Sequence, residues 1–326
     1  MDGKRVEYFD NLKAILIFLV VFGHSLLFIF GQLNLIKFLV LFIYVFHMPM
    51  FIFISGYFSK KDYKKSMVLD FLIPAFIVSS IYMFIEYKTF FVNIFVPPFV
   101  FWYLYSLVFW RLVIKDVAKI KGILFFSFIL YLICGIYQLQ FNAGSLMRSI
   151  GFLFFFVLGY KAKESDILKV KNMKKGLFIL ILLIVFLFSY YIIKNDLLIY
   201  GLLCKNKAFV ELGVNNIDGV LTNLFINFPL LILLSLLILK ITPKKRLCFT
   251  YIGRNTMPIY LLHMFLIFIA EYVVSITGML VFSKEVTLLF MFLVSVLIVL
   301  LLGSNRVLNI YNKFIYFINK LFLKKD

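Results

Sequence analysis

The chain has 326 residues, of which 64% are hydrophobic and only 15% are charged. Soluble domains average about 45–50% apolar and about 25% charged residues, so this composition excludes an ordinary soluble protein. The hydrophobic residues suffice for about ten membrane helices of about 20 residues each, which leaves short loops and no room for an appended soluble catalytic domain.

Uninterrupted hydrophobic runs, bounded by charged residues, glycine or proline, predict an all-α polytopic membrane protein with about ten transmembrane helices. We expect a single transmembrane domain that covers residues 1–326 and lies in the plasma membrane as a multi-pass protein. The predicted spans are residues 12–30, 36–57, 68–87, 97–114, 122–139, 146–160, 176–193, 220–239, 256–275 and 286–303.

The basic residues indicate how the predicted helices are oriented. With ten spans, 27 of the 34 Lys and Arg residues fall on the side that holds both termini. Because cytosolic loops are enriched in Lys and Arg, both termini are predicted to be cytosolic. The net charge of +19 is then a topology signal and an attraction to anionic lipid, and nucleic acid is not an expected partner.

The first predicted helix carries ionisable residues on one face. Lys13 and His24 are 11 positions apart, which in an α-helix is about three full turns and a rise of roughly 16 Å. Asp10 lies within about 40° of His24 on the same helical wheel. Lys13 is therefore predicted at the cytosolic interface and His24 deep in the membrane. Taken singly, a topology anchor for Lys13 and a helix N-cap for Asp10 remain open interpretations.

The second predicted helix contains a histidine, His47, and a cluster of cations follows it. The cluster consists of Lys60, Lys61, Lys64 and Lys65, and it lies on the side predicted to be cytosolic. Lysine binds phosphate as a point charge, so such a cluster suits a ligand with phosphate groups.

Four further polar or aromatic residues lie near predicted outer helix ends: Glu86, Trp102, Tyr103 and Arg148. The two aromatic rings could stack on a sugar or belong to an interfacial aromatic belt. Arg148 lies on the sparsely basic side, which indicates either a polar partner within the bundle or an anionic acceptor. Glu86 is either a partner for a His or Arg or a solvated interface carboxylate.

All three histidines of the chain, His24, His47 and His263, fall within predicted spans. An ionisable side chain in hydrocarbon costs several kcal/mol if it is unpaired, so each is expected to face the bundle interior. Imidazole is suited to proton transfer at such depth. A helix–helix hydrogen bond is the competing interpretation, and for His263 it is as good as the functional one.

The chain resembles the integral-membrane acyltransferase-3 family at three of the family's signatures, in the order that the family has them. The segments Tyr8–Lys13 and Val21–Ser25 resemble the family's first helix, where a basic residue precedes a histidine by ten arbitrary residues. Phe46–Tyr57 and Gly253–His263 resemble its second-helix and late signatures. The likeness is nearest to the stand-alone branch that resembles fucose 4-O-acetylase. Lysines before Pro74 are a departure, because the family usually has spaced arginines there.

The resemblance implies an O-acyltransferase that uses cytosolic acetyl-CoA as acyl donor, with no metal. The expected acceptor is a sugar hydroxyl of a cell-surface or capsular polysaccharide, or of its lipid-linked precursor. His24 is expected to take the proton of the acceptor hydroxyl, or to carry the acyl group transiently. His47 is expected to orient His24 or to stabilise the oxyanion.

The same resemblance assigns the remaining candidate residues. The expected ligands of the coenzyme A phosphates are Lys13, Lys61, Lys64 and Lys65. The expected acceptor site contains Trp102, Tyr103 and Arg148. The expected supporting residues are Asp10, His263 and Glu86.

Two other classes of protein fit parts of the same pattern. Ten spans with buried histidines also suit a proton-coupled transporter or exporter of an envelope glycan, although the interior carboxylates of a proton relay are few. A non-catalytic subunit of a glycan assembly machine is the third possibility. Comparing the acylation of the glycan with its amount and location discriminates between these classes.

Overall fold

The computed structural model describes residues 7–60, 67–88, 97, 100–136, 146–195, 200–205 and 207–322. Over these residues the chain forms helices and no strand. The helices are α1 (Glu7–Phe28), α2 (Asn34–Phe58), α3 (Met67–Tyr87), α4 (Trp102–Val117), α5 (Ile123–Ile133), α6 (Leu146–Lys161), α7 (Glu164–Lys171), α8 (Lys175–Lys194), α9 (Tyr200–Cys204), α10 (Asn216–Thr222), α11 (Phe228–Ile241), α12 (Thr250–Arg254), α13 (Thr256–Thr277), α14 (Met279–Phe282), α15 (Lys284–Leu302) and α16 (Asn305–Phe322).

The prediction of an all-helical, multi-pass membrane protein is confirmed. Within the described part of the chain, six helical segments are long and apolar enough to cross a membrane. They are Glu7–Phe28, Asn34–Phe58, Lys175–Lys194, Asn216–Ile241, Thr256–Thr277 and Lys284–Leu302. The other four predicted spans, 68–87, 97–114, 122–139 and 146–160, each overlap a helix, and their crossing of the membrane stays a prediction.

One compact unit is built around α1. It comprises Met1–His47, Ser165–Leu198 and Leu230–Tyr311, and in it α1 packs against α12, α13 and α15. Helix α1 is apolar on nearly every side, a pattern that is typical of a helix buried within a bundle. Its side chains Leu12 and Leu16 are accordingly fully buried.

The second compact unit comprises Met48–Glu164, Ile199–Pro229 and Asn312–Asp326. In this unit α4 packs against α3 and α6, and α5 packs against α6. Stacked and tilted aromatic rings fill the space between these helices, as in the pair formed by Trp110 and Phe156, whose ring centroids are 5.2 Å apart.

Two glycines allow the end of α2 and helix α6 to approach backbone to backbone. A Cβ atom on Gly56 would overlap the carbonyl oxygen of Phe156, and one on Gly159 would overlap the carbonyl oxygen of Phe53. Small residues at a helix crossing are a common means of tight packing in membrane proteins, where apolar burial itself contributes little.

The buried side chain of Lys205 caps the C-terminal end of α5. The ammonium group of Lys205 donates a hydrogen bond of 3.2 Å to the backbone carbonyl oxygen of Tyr131. It also lies 4.2 Å from the centroid of the Tyr131 ring. The side chain of Asn223 donates to the carbonyl oxygen of Leu132. Burial lowers the pKa of Lys205 to about 8. Both side chains satisfy carbonyl groups that the last turn of a helix leaves without intrahelical donors.

Helix α16 lies beyond the last predicted span. Its sequence mixes apolar residues with asparagines, a tyrosine pair and three basic residues. A search for continuous apolar runs does not detect such a helix, because its hydrophobic residues recur with helical period instead of forming a block.

We expect Gly159→Ala to destabilise the protein by about 1–3 kcal/mol, since the added methyl group must displace the α2 backbone. Gly176→Ala is the matched control, because a Cβ atom at this position of α8 meets nothing within 4 Å. Thermal unfolding of both variants in one detergent measures the difference. Equal unfolding temperatures for the two variants would show that the α2–α6 crossing is not the tight contact described here.

Candidate active site

The first and ninth predicted spans place two histidines in direct contact within the α1 unit. The Nδ1 atom of His24 on α1 lies 3.0 Å from the Nε2 atom of His263 on α13. The two rings are nearly parallel, with centroids 5.1 Å apart. His263 is fully buried, whereas His24 is partly exposed. The pair therefore has one enclosed member and one member that other molecules can reach.

Hydrogen bonds to backbone carbonyls determine which nitrogen of His263 carries its proton. Its Nδ1 atom lies 3.0 Å from the carbonyl oxygen of Ile259 and 2.9 Å from that of Tyr260. A carbonyl oxygen only accepts hydrogen bonds, so Nδ1 of His263 is the protonated nitrogen. In the neutral ring, Nε2 of His263 then carries a lone pair.

The same reasoning extends to His24. Because Nε2 of His263 presents a lone pair, Nδ1 of His24 must be the donor of the hydrogen bond that joins the two rings. The lone pair of a neutral His24 consequently lies on Nε2. When His24 takes up a proton at Nε2, the hydrogen bond to His263 keeps its direction. The pair can thus accept a proton without rearrangement.

The third histidine joins this group through a tyrosine. The Nδ1 atom of His47 donates to the carbonyl oxygen of Ile43 at 2.8 Å, and the ring of His47 meets that of Tyr44 edge to face at 4.9 Å. The Tyr44 ring in turn lies 6.2 Å from that of His24. Gly23 makes this approach of α1 and α2 possible, since a Cβ atom there would lie 2.9 Å from Ile43.

Ionic contacts surround the N-terminal end of α1, which is the end predicted to be cytosolic. The buried carboxylate of Asp10, whose side chain is 3% exposed, pairs with Lys13 at 2.9 Å and with Arg254 at 3.2 Å. Arg254 also contacts both carboxylate oxygens of Glu7 at 2.8 Å. These hydrogen bonds, which Arg254 donates to Glu7, raise the pKa of Arg254. Two carboxylates and two cations thus compensate each other's charge at this end of the helix.

A glycine and an asparagine hold α12 against this ionic cluster. A Cβ atom on Gly253 would overlap the carbonyl oxygen of Asp10, so only glycine allows the two backbones to meet. The side chain of Asn11 donates to the carbonyl oxygens of Pro243 and Lys245 and accepts a hydrogen bond from Thr250. The loop before α12 is therefore tied to the first turns of α1.

The predicted lysine cluster after α2 is only partly within the described residues. Lys61, Lys64 and Lys65 lie outside them. Lys60 donates a hydrogen bond to the carbonyl oxygen of Ala162, and its ammonium group lies 4.3 Å from the centroid of the Tyr57 ring.

The predicted acceptor residues lie together in the second unit. The guanidinium group of Arg148 on α6 lies 5.2 Å from the centroid of the Trp102 ring on α4. Phe152 stacks on the same indole, with centroids 5.4 Å apart, and Trp102 is only 7% exposed. The buried hydroxyl group of Tyr103 forms a hydrogen bond of 2.6 Å with Ser55. Trp102 therefore lies against Arg148 and Phe152, Tyr103 is held by Ser55, and neither ring is an open aromatic surface.

Glu86 is exposed near the end of α3, and its predicted supporting role stays a prediction. Within the described ranges, no group of three or more His, Cys, Asp or Glu side chains is arranged to hold a metal ion. A neutral imidazole can act as a general base or as a nucleophile.

Sequence reasoning identified His24 and His263 but did not predict that they touch, and it did not identify Arg254 or Tyr44. A signal for the pair is present: each histidine is a polar residue within a long apolar helix, and such residues commonly satisfy each other across helices. The sequence feature that could have identified Arg254 is its place beside Gly253 at the start of the late signature.

A multi-pass membrane protein with two histidines in contact between membrane helices is the class that this geometry defines. The family model of the acyltransferase-3 family, described as an acyltransferase domain, matches residues 6–304 of the chain. The protein therefore belongs to the acyltransferase-3 family, and the resemblance drawn from the sequence is confirmed. Comparisons with curated proteins and with solved structures returned no match.

We expect Asp10→Asn to destabilise the protein by about 1–3 kcal/mol, because Lys13 and Arg254 lose the carboxylate that they share. Breaking a fully buried ion pair costs about 3–5 kcal/mol, and the partial exposure of both cations reduces this figure.

Asp116→Asn is the control for this substitution, since Asp116 forms a solvent-exposed pair with Lys119, and exposed pairs contribute little to stability. Denaturant titration in a single detergent compares the two variants. A cost for Asp10→Asn no larger than that for Asp116→Asn would contradict a structural role for the ionic cluster.

Proposed function

We propose that this acyltransferase transfers acetyl from cytosolic acetyl-CoA to a sugar hydroxyl of a cell-surface or capsular polysaccharide, or of its lipid-linked precursor. The observation that supports this most directly is the 3.0 Å contact between His24 and His263, in which the carbonyl contacts of His263 make His24 the donor. It leaves the lone pair of His24 on Nε2, on the partly exposed member of the pair. A base in that position is what activation of a hydroxyl group requires.

In the proposed reaction, Nε2 of His24 takes the proton of the acceptor hydroxyl as its oxygen attacks the carbonyl carbon of the thioester. The bond from that carbon to the sulfur breaks, and the departing thiolate receives the proton from His24. His263 accepts the hydrogen bond from Nδ1 of His24 throughout and so acts as a positioning residue. His47, linked to His24 by Tyr44, is proposed to orient the base or to stabilise the oxyanion.

For the donor, we propose that Lys13, Lys61, Lys64 and Lys65 bind the phosphate groups of coenzyme A at the cytosolic surface. The contacts of Asp10 support such a role for Lys13. Because Arg254 also pairs with Asp10, the ammonium group of Lys13 can turn to a phosphate without leaving the buried carboxylate uncompensated.

For the acceptor, we propose that Arg148 binds the sugar and that Trp102 and Tyr103 hold the guanidinium group in place. The contact of Arg148 with the indole ring supports this assignment.

We further propose a single domain of ten spans in the plasma membrane with both termini in the cytosol. Asp10, His263 and Glu86 are proposed as supporting residues. The distribution of basic residues supports this topology.

We expect His24→Ala to reduce acetyl transfer by about 10²–10⁴-fold, which is the usual contribution of a general base. Purified protein incubated with labelled acetyl-CoA and the glycan acceptor measures the rate, and NMR of cell-surface glycan measures its ester content. Ser295→Ala is the control, since it removes another polar contact of α1, that with Ser25, and should change the rate less than about threefold. Equal ester content with His24→Ala at equal protein abundance would refute the enzymatic proposal.

We expect His263→Ala to lower kcat by about 10–100-fold with little change in the KM for the acyl donor, because His24 loses the acceptor that fixes its tautomer. His263→Gln, whose amide oxygen can accept the same hydrogen bond, should recover part of kcat. A change in KM alone, or no difference between the two variants, would contradict a positioning role and leave only a packing role.

A further inference from the structure

Helix α16 carries a stripe of positive charge along one side. Its 18 residues include three basic residues and no acidic one. Arg306, Lys313 and Lys320 follow each other at intervals of seven residues, so each lies only about 20° around the helix from the one before it. All three side chains are exposed.

An apolar edge runs beside this stripe. Ile310, Phe317 and Leu321 lie within about 40° of each other on the helical wheel, and Arg306 is about 20° from Phe317. The three apolar side chains are 68%, 59% and 62% exposed. A row of large apolar side chains at such exposure is unfavourable in water and marks a surface that something apolar covers.

A different side of α16 holds the helix against the protein. Ile318 is buried, and the side chain of Asn319 donates a hydrogen bond of 2.9 Å to Asp70 on α3. The helix is not one of the segments long and apolar enough to cross a membrane. Within the described part of the chain, the exposed edge is therefore left out of the packing that holds α16 in place.

We propose that α16 lies in the membrane interface and that its exposed edge binds anionic phospholipid. In this arrangement Ile310, Phe317 and Leu321 reach into the acyl region, and the three basic side chains contact headgroup phosphates. Charge complementarity selects the occupant, because an apolar edge flanked by cations and free of acidic residues matches an anionic lipid surface. The inference rests on α16 alone and is independent of the proposed reaction.

The affinity of the purified full-length protein for single lipids, measured by native mass spectrometry, tests this proposal. We expect tighter binding of phosphatidylglycerol than of phosphatidylcholine. Each cation near an anionic surface contributes about 1 kcal/mol, or roughly a five-fold change in affinity. Replacing Arg306, Lys313 and Lys320 together by Gln should thus weaken phosphatidylglycerol binding by up to about 100-fold and leave phosphatidylcholine binding unchanged.

A matched triple variant keeps the same net charge as this one. It replaces three exposed lysines elsewhere, Lys119, Lys169 and Lys175, by Gln, and it should change phosphatidylglycerol binding less than about threefold. Equal losses in the two triple variants, or retention of wild-type affinity by the α16 variant, would overturn the proposal.

Replacement of Ile310, Phe317 and Leu321 by Ser tests the apolar edge separately. Weaker binding of both lipids, by about tenfold, is expected because the edge no longer enters the acyl region. If this variant instead changes the oligomeric state and binds both lipids as the wild type does, a second copy of the chain covers the edge and the proposal is wrong.

Discussion

The hydrogen bond between His24 and His263 is the interaction on which the proposed chemistry of this protein depends. Two imidazole rings can share a bond in either direction, and here the carbonyl groups of Ile259 and Tyr260 select one of them. A chain of such bonds is polarised in surroundings of low dielectric constant, which strengthens each member. A neutral imidazole as acceptor also avoids the cost of burying a carboxylate within the membrane. The resting pair can therefore be uncharged and still provide a base.

The register of α1 against the segment Gly253–His263 decides whether the two rings meet. At the N-terminal end of α1, Gly253 lies on the backbone of Asp10, and Arg254 contacts both Glu7 and Asp10. Deeper in the same unit, His263 meets His24. The ionic contact and the imidazole contact are thus two points along one helix pairing. A shift of one turn at the first point would separate the rings at the second.

Much of the fold follows from the sequence because long apolar runs have few alternatives to a membrane helix, and all ten predicted spans overlap helices. His24 could also be singled out, since its spacing from Lys13 and its place in the first-helix signature both point to it. The contact with His263 could not be derived, because the distance between two helices depends on residues such as Gly23 and Gly253 that permit close approach. Helix α16 escaped prediction for a different reason: its amphipathic pattern contains no apolar block.

Nitrogen-15 NMR of the histidine rings tests the central claim most directly, and a chain with only three histidines makes assignment by single substitutions practicable. At about pH 8 the rings should be neutral, given an ordinary imidazole pKa of about 6.5. The account predicts that His24 and His263 are both protonated on Nδ1 and unprotonated on Nε2. It also predicts that His263→Gln broadens or shifts the His24 signals. A His24 ring protonated on Nε2 and bare on Nδ1 would contradict the account.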